Sequence, residues 1–415
     1  DQDHCLYLNH KECRQCEQAC GTDAIDLDQE EEIVNLEVGS IILSPGLKEF
    51  NAKRKAEYGY GRFANVMTSI EFERVLCASG PFMGHIQRPS DAKTPKRIAF
   101  LQCVGSRDVT VDNPYCSSVC CMYAIKEAVV ALEHEPDLDL SIFYMDMRTQ
   151  GKGFEEFYER GKQQGITFVR SKVSSLKEIP GTKNLIVHYA EENGTHKEQE
   201  LDLVVLSVGI EPAKKVQELA STMKISLNDY RFAQTELFSP IKTDREGIFV
   251  AGAFQGPKDI PETVIQSSGS VASASSLLAS ARGTLVEEHT SPEELPIEDD
   301  PRIGVFVCHC GINVAGVVDV NAVREYAGTL PNVVFAEQNH YSCSQDNQEN
   351  IKNLIKEYNL NRVVVTACSP RTHEPLFQET LREAGLNKCL FEMANIRDQC
   401  SWVHMHEKEA ATEKA

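Results

Sequence analysis

The chain has 415 residues, 41% hydrophobic and 25% charged, the balance of an ordinary folded protein with room for roughly two to four domains. A formal net charge of -20 argues against nucleic acid, whose backbone is held by Lys and Arg. No apolar run approaches the roughly 20 residues that span a bilayer, and the start, Asp1-Gln2-Asp3-His4-Cys5, has neither the basic nor the apolar region of a signal peptide. Fifteen cysteines in such a chain point to metal or redox chemistry in a reducing cytoplasm, not to a disulfide scaffold.

Residues 1–28 read as a small cysteine-rich unit carrying Cys5, Cys13, Cys16 and Cys20. The run Cys13-x2-Cys16-x3-Cys20 is the tail of the bacterial ferredoxin pattern, with Cys5 seven residues ahead and Gly21 where a proline usually stands. Three thiolates on one tight loop can take three corners of a cubane cluster. In two-cluster ferredoxins the fourth cysteine of a run serves the other cluster, which would put Cys20 on a neighbouring one. A four-cysteine zinc site is the alternative, and a loop of metal-free thiols a third reading.

Residues 29–285 read as an α/β domain. Residues 33–46 form a strand and a Gly turn, and strand-like runs follow at 97–103, 140–144, 166–173, 185–189, 201–208 and 247–251. Helical patterns lie at 117–134 and 154–164, and 185–189 with 201–208 look like an inserted hairpin. Cys103 ends a strand, and Cys116, Cys120 and Cys121 open a helix, where partial positive charge favours thiolates. Cys116 and Cys120 share a helical face, whereas Cys121 points about 100° away, so the four converge only if the helix start is distorted. Small buried hydrophobes are the alternative reading of these thiols. Cys77, in "ERVLCAS", reads as core, as does Cys389 further on, in "NKCLFEM".

In 244–261, "DREGIFVAGAFQGPKDIP", a strand leads through Gly252, Ala253 and a Gly/Pro loop (Gly256, Lys258, Asp259) to a Ser/Ala-rich helix, about 262–282, just past Ile260. Helix N-terminal amides there can hold anionic groups, and Lys258 could donate to a flavin nitrogen or be a solvated loop lysine. The segment resembles the last flavin-contacting motif of thioredoxin-reductase-like flavoproteins. Ala253 stands where many of those carry Asp, and no G-x-G-x-x-G fingerprint follows an N-terminal strand; Gly59-Tyr60-Gly61 reads as a plain loop.

Residues 286–302 hold seven acidic residues and three prolines without periodicity, a linker. A second α/β unit, 303–415, runs through strand "IGVFVC", helix 321–327, strand 332–336, helix 347–358 and strand 362–366. Its cysteines, Cys308, Cys310, Cys343, Cys368 and Cys400, follow strands or sit in loops, and loops after parallel strands gather at one face. Cys310, Cys343, Cys368 and Cys400 are the chosen ligand set, with Cys308 in reserve. Zinc held with His309 or His373 is the alternative.

Seven stretches together resemble the A-type subunit of heterodisulfide reductase, an iron–sulfur flavoprotein family: "EYGYGRFANVMTSIEFERVL", "CVGSRD…NPYCSSVCCMYAIKEA", "GKGFEEFYERG", "VAGAFQGPKDIP", "VCHCGINVAGVVDV", "ACSPRTHEPLFQETLREAGLN" and "EMANIRDQCSWVH". The resemblance implies a [4Fe–4S] cluster on Cys103, Cys116, Cys120 and Cys121, another on the 308–400 cysteines, and FAD held by 244–261 with a fingerprint upstream of residue 1. It further implies flavin-based electron bifurcation to a disulfide-type acceptor and ferredoxin, within a complex that includes a hydrogenase or dehydrogenase donor. In that family the "VCHCG" domain comes first, so the order here resembles the junction of two tandem copies, and the chain is expected to be a piece of a longer polypeptide. A flavin-free iron–sulfur wire and a zinc-stabilised docking scaffold are the competing functions.

Overall fold

The computed structural model describes residues 2–20, 24–78, 80–286, 292–296 and 300–415. Gly21 and much of the acidic linker, 287–291 and 297–299, lie outside the described residues. The chain divides into one unit of Leu36–Thr284 and another made of Asp1–Asn35 and Leu285–Ala415.

In the Leu36–Thr284 unit the strands are β1 (Ile41–Leu43), β2 (Leu47–Glu49), β3 (Val66–Thr68), β4 (Arg97–Val104), β5 (Asp139–Tyr144), β6 (Thr167–Arg170), β7 (Ser175–Glu178), β8 (Leu185–Ala190), β9 (His196–Leu201), β10 (Leu203–Val208), β11 (Ile210–Pro212) and β12 (Ile248–Val250). Its longer helices are α1 (Ser69–Leu76), α2 (Cys120–His134), α3 (Phe154–Gln163), α4 (Val216–Met223) and α5 (Ile260–Leu277). A parallel sheet in the order β3-β10-β4-β5-β6 forms the middle layer. Its inner strands, "RIAFLQCV" and "LVVLSV", are near-continuous apolar runs because both sheet faces are covered.

On one face Ile98, Phe100 and Val205 pack against Phe72 of α1, Ala124, Ile125 and Ala128 of α2, and Tyr158 of α3. On the other, Ala99, Leu101 and Leu206 pack against Phe50, Tyr58 and the antiparallel sheet β7-β8-β9 through Leu176, Leu185 and Val187. The α/β expectation therefore stands, with two local corrections. The hairpin pairs β8 with β9, whereas β10 leaves it to enter the parallel sheet, because residues 203–208 are apolar on both faces. Of 33–46 only β1 is a strand, and Ile33, Val34, Leu36 and Val38 are exposed.

Gly105, just after β4, has φ +72°, and a Cβ there would stand 2.0 Å from the buried ring of Phe50. Gly105→Ala is expected to cost about 2–4 kcal/mol, from overpacking and left-handed strain together, and to lower the urea midpoint accordingly.

The second unit carries β13 (Ile303–Cys308), β14 (Val333–Asn339), β15 (Arg362–Ala367) and β16 (Phe391–Asn395), all parallel, in the order β14-β13-β15-β16. Helices α6 (Val320–Gly328) and α9 (Lys408–Lys414) contribute Val323 and Ala411 to the face that holds Val305 and Val307. Helices α7 (Gln345–Glu357) and α8 (Pro370–Glu383) contribute Ile351, Ile355, Phe377 and Leu381 to the other, which holds Phe306 and Val365. The chain runs outward from β13 to β14, then crosses back to β15. The strand order thus reverses beside β13, and ligands of open α/β sheets bind at such a point, outside the carboxyl ends of the strands.

Candidate metal centres

Cys103 is the penultimate residue of β4, and the three other thiols of its group lie in the connection to α2 and in that helix's first turn. The connection is held in place from within. Arg107 N–H donates to Tyr115 O (2.8 Å), Ser117 N–H to Ser106 Oγ (2.9 Å) and Ile210 N–H to Ser117 Oγ (2.9 Å). The helix begins at Cys120, so Cys116 stands in the loop before it and does not share a helical face. That irregular start is the distortion that convergence requires, and Ser118 marks it with φ +62°.

The thiols of this group act on one another electrostatically. Burial pushes the Cys103 thiol up to about 11, and charge on Cys121 or Cys116 acts on it in the same direction. Burial raises Cys120 and Cys121 as well, and charge on Cys103, Cys121 and Cys116 acts on Cys120. The Cys120 thiol reaches Val208 O of β10 at 3.7 Å, and the same carbonyl accepts from the Tyr123 hydroxyl. Cations face this group too: Arg107 lowers Cys103, and Arg148, bonded to Asp146, interacts with Cys116. Composition of the loop could not have singled out Arg148, because it arrives from beyond β5.

At the reversal point of the second unit, Cys308 ends β13, Cys368 follows β15, and Cys310 and Cys343 occupy the adjoining loops. Burial raises Cys310, Cys343 and Cys368. Charge on Cys308 acts on all three, and the Arg397 guanidinium acts oppositely on Cys310 and Cys368. Arg397 lies over the Trp402 ring at 4.7 Å. Cys400 sits in a π-type turn, Arg397–Ser401, packed with Val305, Val307 and Ile396. After burial, the charge that acts on it is that of Lys414. Charge on Cys308 thus acts on Cys310, Cys343 and Cys368, while Cys400 belongs to the apolar cluster that Cys310 also packs against.

In the first clump Cys5 precedes a short helical turn, Leu6–His10, Cys16 lies in Gln15–Gln18, and an Ala24 N–H donates to Cys20 Sγ at 3.3 Å. Cys13 and Cys16 are exposed. One cysteine in each clump, namely Cys13, Cys103 and Cys310, has left-handed φ (76°, 59° and 40°), a conformation that costs a side chain energy and concentrates at functional sites. Cys77 and Cys389 are exposed, not core: Cys77 caps the end of α1, and Cys389 lies in the turn Lys388–Leu390 ahead of β16.

Among the described residues no three or more His, Cys, Asp or Glu side chains are drawn together to hold one metal ion. Gln102, the residue before Cys103 in β4, has both amide atoms buried without a hydrogen-bond partner, and its Nε2 could donate to an acceptor there.

The 244–261 segment has the expected strand, loop and helix order. Lys258 differs from both readings. It is half-buried, and its ammonium donates to Gly252 O (3.0 Å), Gln255 Oε1 (2.8 Å) and Gly256 O (2.8 Å). Three N–H groups meet three acceptors, so none remains for a flavin nitrogen in this arrangement. Asp259 caps α5 through the Glu262 N–H (2.8 Å), Ala253 is buried, and Ile260 is exposed.

No family model matches the chain. It is 52% identical over 263 residues to the second A-type iron–sulfur subunit of CoB–CoM heterodisulfide reductase in Methanopyrus kandleri, which is 62% of this chain and 40% of that one. It is 45% identical over 280 residues to the A-type iron–sulfur subunit of Methanocaldococcus jannaschii, 66% of this chain and 42% of that one. To the A-type subunit of ferredoxin:CoB–CoM heterodisulfide reductase of Methanosarcina mazei it is 34% identical over 327 residues, 78% of this chain and 40% of that one. The chain thus spans about two fifths of the length of these curated relatives. Thioredoxin reductase of Lactococcus lactis superposes on 58% of this chain and 66% of its own at 18% identity and a TM-score of 0.37, too loose a fit to weigh.

Proposed function

This chain is a sequence relative of the A-type subunit of heterodisulfide reductase over 62–66% of its length, and we propose that it carries electrons through [4Fe–4S] clusters in an oxidoreductase complex of that type. The reading is supported by the positions of two sets of four cysteines, one in each unit, at the carboxyl ends of parallel strands and in the loops and helix start beyond them. Cys103, Cys116, Cys120 and Cys121 would hold one cluster, and Cys308, Cys310, Cys343 and Cys368 the other. The clusters supply one-electron transfer. The protein's part is to bury the thiolates, offset their charge with Arg107, Arg148 and Arg397, and fix the strand ends that carry them.

FAD, in this reading, meets the 244–261 segment together with polypeptide that these residues do not include. Splitting of electron pairs at that flavin, towards a disulfide-type acceptor and ferredoxin, belongs to the same proposal, as do a hydrogenase or dehydrogenase donor and a cytoplasmic setting. Among the described residues no helix is long and apolar enough to cross a membrane. A second reading, a flavin-free wire, is favoured by one observation: the Lys258 ammonium and the Asp259 carboxylate are both engaged within their own segment.

Iron, acid-labile sulfide, zinc and flavin should be measured on the anaerobically purified chain. About eight irons with matching sulfide are expected for the two buried groups. Stoichiometric zinc without sulfide would overturn electron transfer in favour of a scaffold, and clusters without flavin would select the wire.

A further inference from the structure

The connection from β4 to α2, residues 105–119, carries Cys116 and is mostly irregular, with the turn Val109–Val111 in its midst. Its course is therefore fixed by side chains, and three alternate residues of it bond to the short strand β11. Asn113 Nδ2 donates to Glu211 Oε1 (3.0 Å), the Tyr115 hydroxyl to Ile210 O (3.1 Å) and Ile210 N–H to Ser117 Oγ (2.9 Å). Cys116, between Tyr115 and Ser117, interacts with Arg148 instead. Asn113 Nδ2 also donates to Gly105 O (3.0 Å), two residues past Cys103, so one amide ties the start of the connection to the stretch before Cys116.

The Glu211 side chain is 4% exposed, and besides Asn113 its carboxylate accepts from Arg54 Nη1 (2.7 Å, to Oε1) and Lys48 Nζ (3.2 Å, to Oε2). Arg54 Nη2 reaches on to Val111 O (2.7 Å), a second hold on the same connection. Burial alone would raise the Glu211 carboxyl, but Asn113, Lys48 and Arg54 together keep it below its ordinary value. Lys48 and Arg54 are partly exposed, so water can replace Glu211 as their partner. Asn113 is 1% exposed and has no such substitute. Without the Glu211 acceptor one of its N–H groups is left buried and unpaired, which is costly.

We propose that Glu211 is a positioning residue for the cluster assigned to Cys103, Cys116, Cys120 and Cys121: its carboxylate holds Asn113 and Arg54, and through them the connection that presents Cys116. The inference rests on that cluster assignment. Glu211 is not itself a ligand. A thiolate held in place rebinds its iron before a competitor can take it, so a looser connection shows as faster loss of iron.

The test is the rate at which the full anaerobic chain loses iron to a ferrous-iron chelator well below its melting temperature, read by the EPR signal that Cys116→Ala abolishes. Glu211→Leu, which fills the space but accepts no hydrogen bond, should lose that cluster about tenfold faster than the native chain. Glu211→Gln, which keeps an oxygen for Asn113, should stay within about twofold of native. Asn113→Ala should match Glu211→Leu, and the double variant should be no faster than either, because both act through one bond. The cluster of the other unit is the internal standard and should decay at the native rate in every variant. Native rates in Glu211→Leu and Asn113→Ala would overturn the positioning role while leaving the cluster in place. Equal quickening of both clusters, the mark of general unfolding, would overturn it too. Should Glu211→Leu fail to fold, Asn113→Ala decides on the same tenfold expectation. A native chain without any signal that depends on Cys116 would overturn the cluster assignment itself, and the positioning with it.

Discussion

Cys308→Ser is expected to remove the cluster of the second unit, about four irons and four sulfides per chain, whereas Cys400→Ser keeps them. The contrast comes from which charges act on which thiol. Charge on Cys308 acts on Cys310, Cys343 and Cys368, whereas beyond burial Cys400 feels Lys414. Cys310→Ser should behave like Cys308→Ser, because Cys310 packs against the apolar clusters on both sheet faces. Iron and sulfide per chain, with the unit's fold followed by circular dichroism, are the measurements. Retention of iron in Cys308→Ser together with its loss in Cys400→Ser would return the ligand set to Cys310, Cys343, Cys368 and Cys400.

Glu127→Gln should stabilise the Leu36–Thr284 unit at neutral and alkaline pH and leave it unchanged near pH 4.5. Glu127 is 2% exposed on α2, and its Oε2 has no hydrogen-bond partner. Burial, with repulsion from Glu73, raises its carboxyl from 4.5 to about 9, and Lys126 offsets only part of that. Between those two pH values the folded chain holds a proton that the unfolded chain has released. Stability therefore falls as pH rises from about 4.5 to 9, then levels off. Glutamine keeps the shape and removes the loss, on the order of 3–5 kcal/mol at pH 8 and so roughly 10 °C or more in the melting temperature. Equal melting of the two forms at pH 8 would show that the carboxyl reaches water or a cation.

The parallel sheets were legible because their strands are apolar on both faces: "RIAFLQCV", "LVVLSV" and "IGVFVC" allow little else. Where residue 201 closes β9 and 203 opens β10, no turn signal separates an edge hairpin from the central sheet, so the sequence alone joins them. Cysteine spacing marked both thiol sets as candidates and preferred Cys400 to Cys308; the two differ in which strand end or loop carries them, which spacing does not reveal. Arg148 and Arg397 were invisible for the same reason, as was Lys258's engagement with three carbonyl or amide oxygens of its own loop.

The place of β10 between β3 and β4 sets a timetable for biogenesis. Val104 leaves the ribosome about a hundred residues before Val208, which pairs with it and supplies the carbonyl that Cys120 reaches. At about 5–20 residues per second that is an interval of roughly 5–20 s. Throughout it β4 has an open edge, and its thiols stand without the wall that later encloses them. Iron loaded into this group is therefore expected after translation has passed residue 208, and ribosome-stalled chains that end before β10 should take up none there.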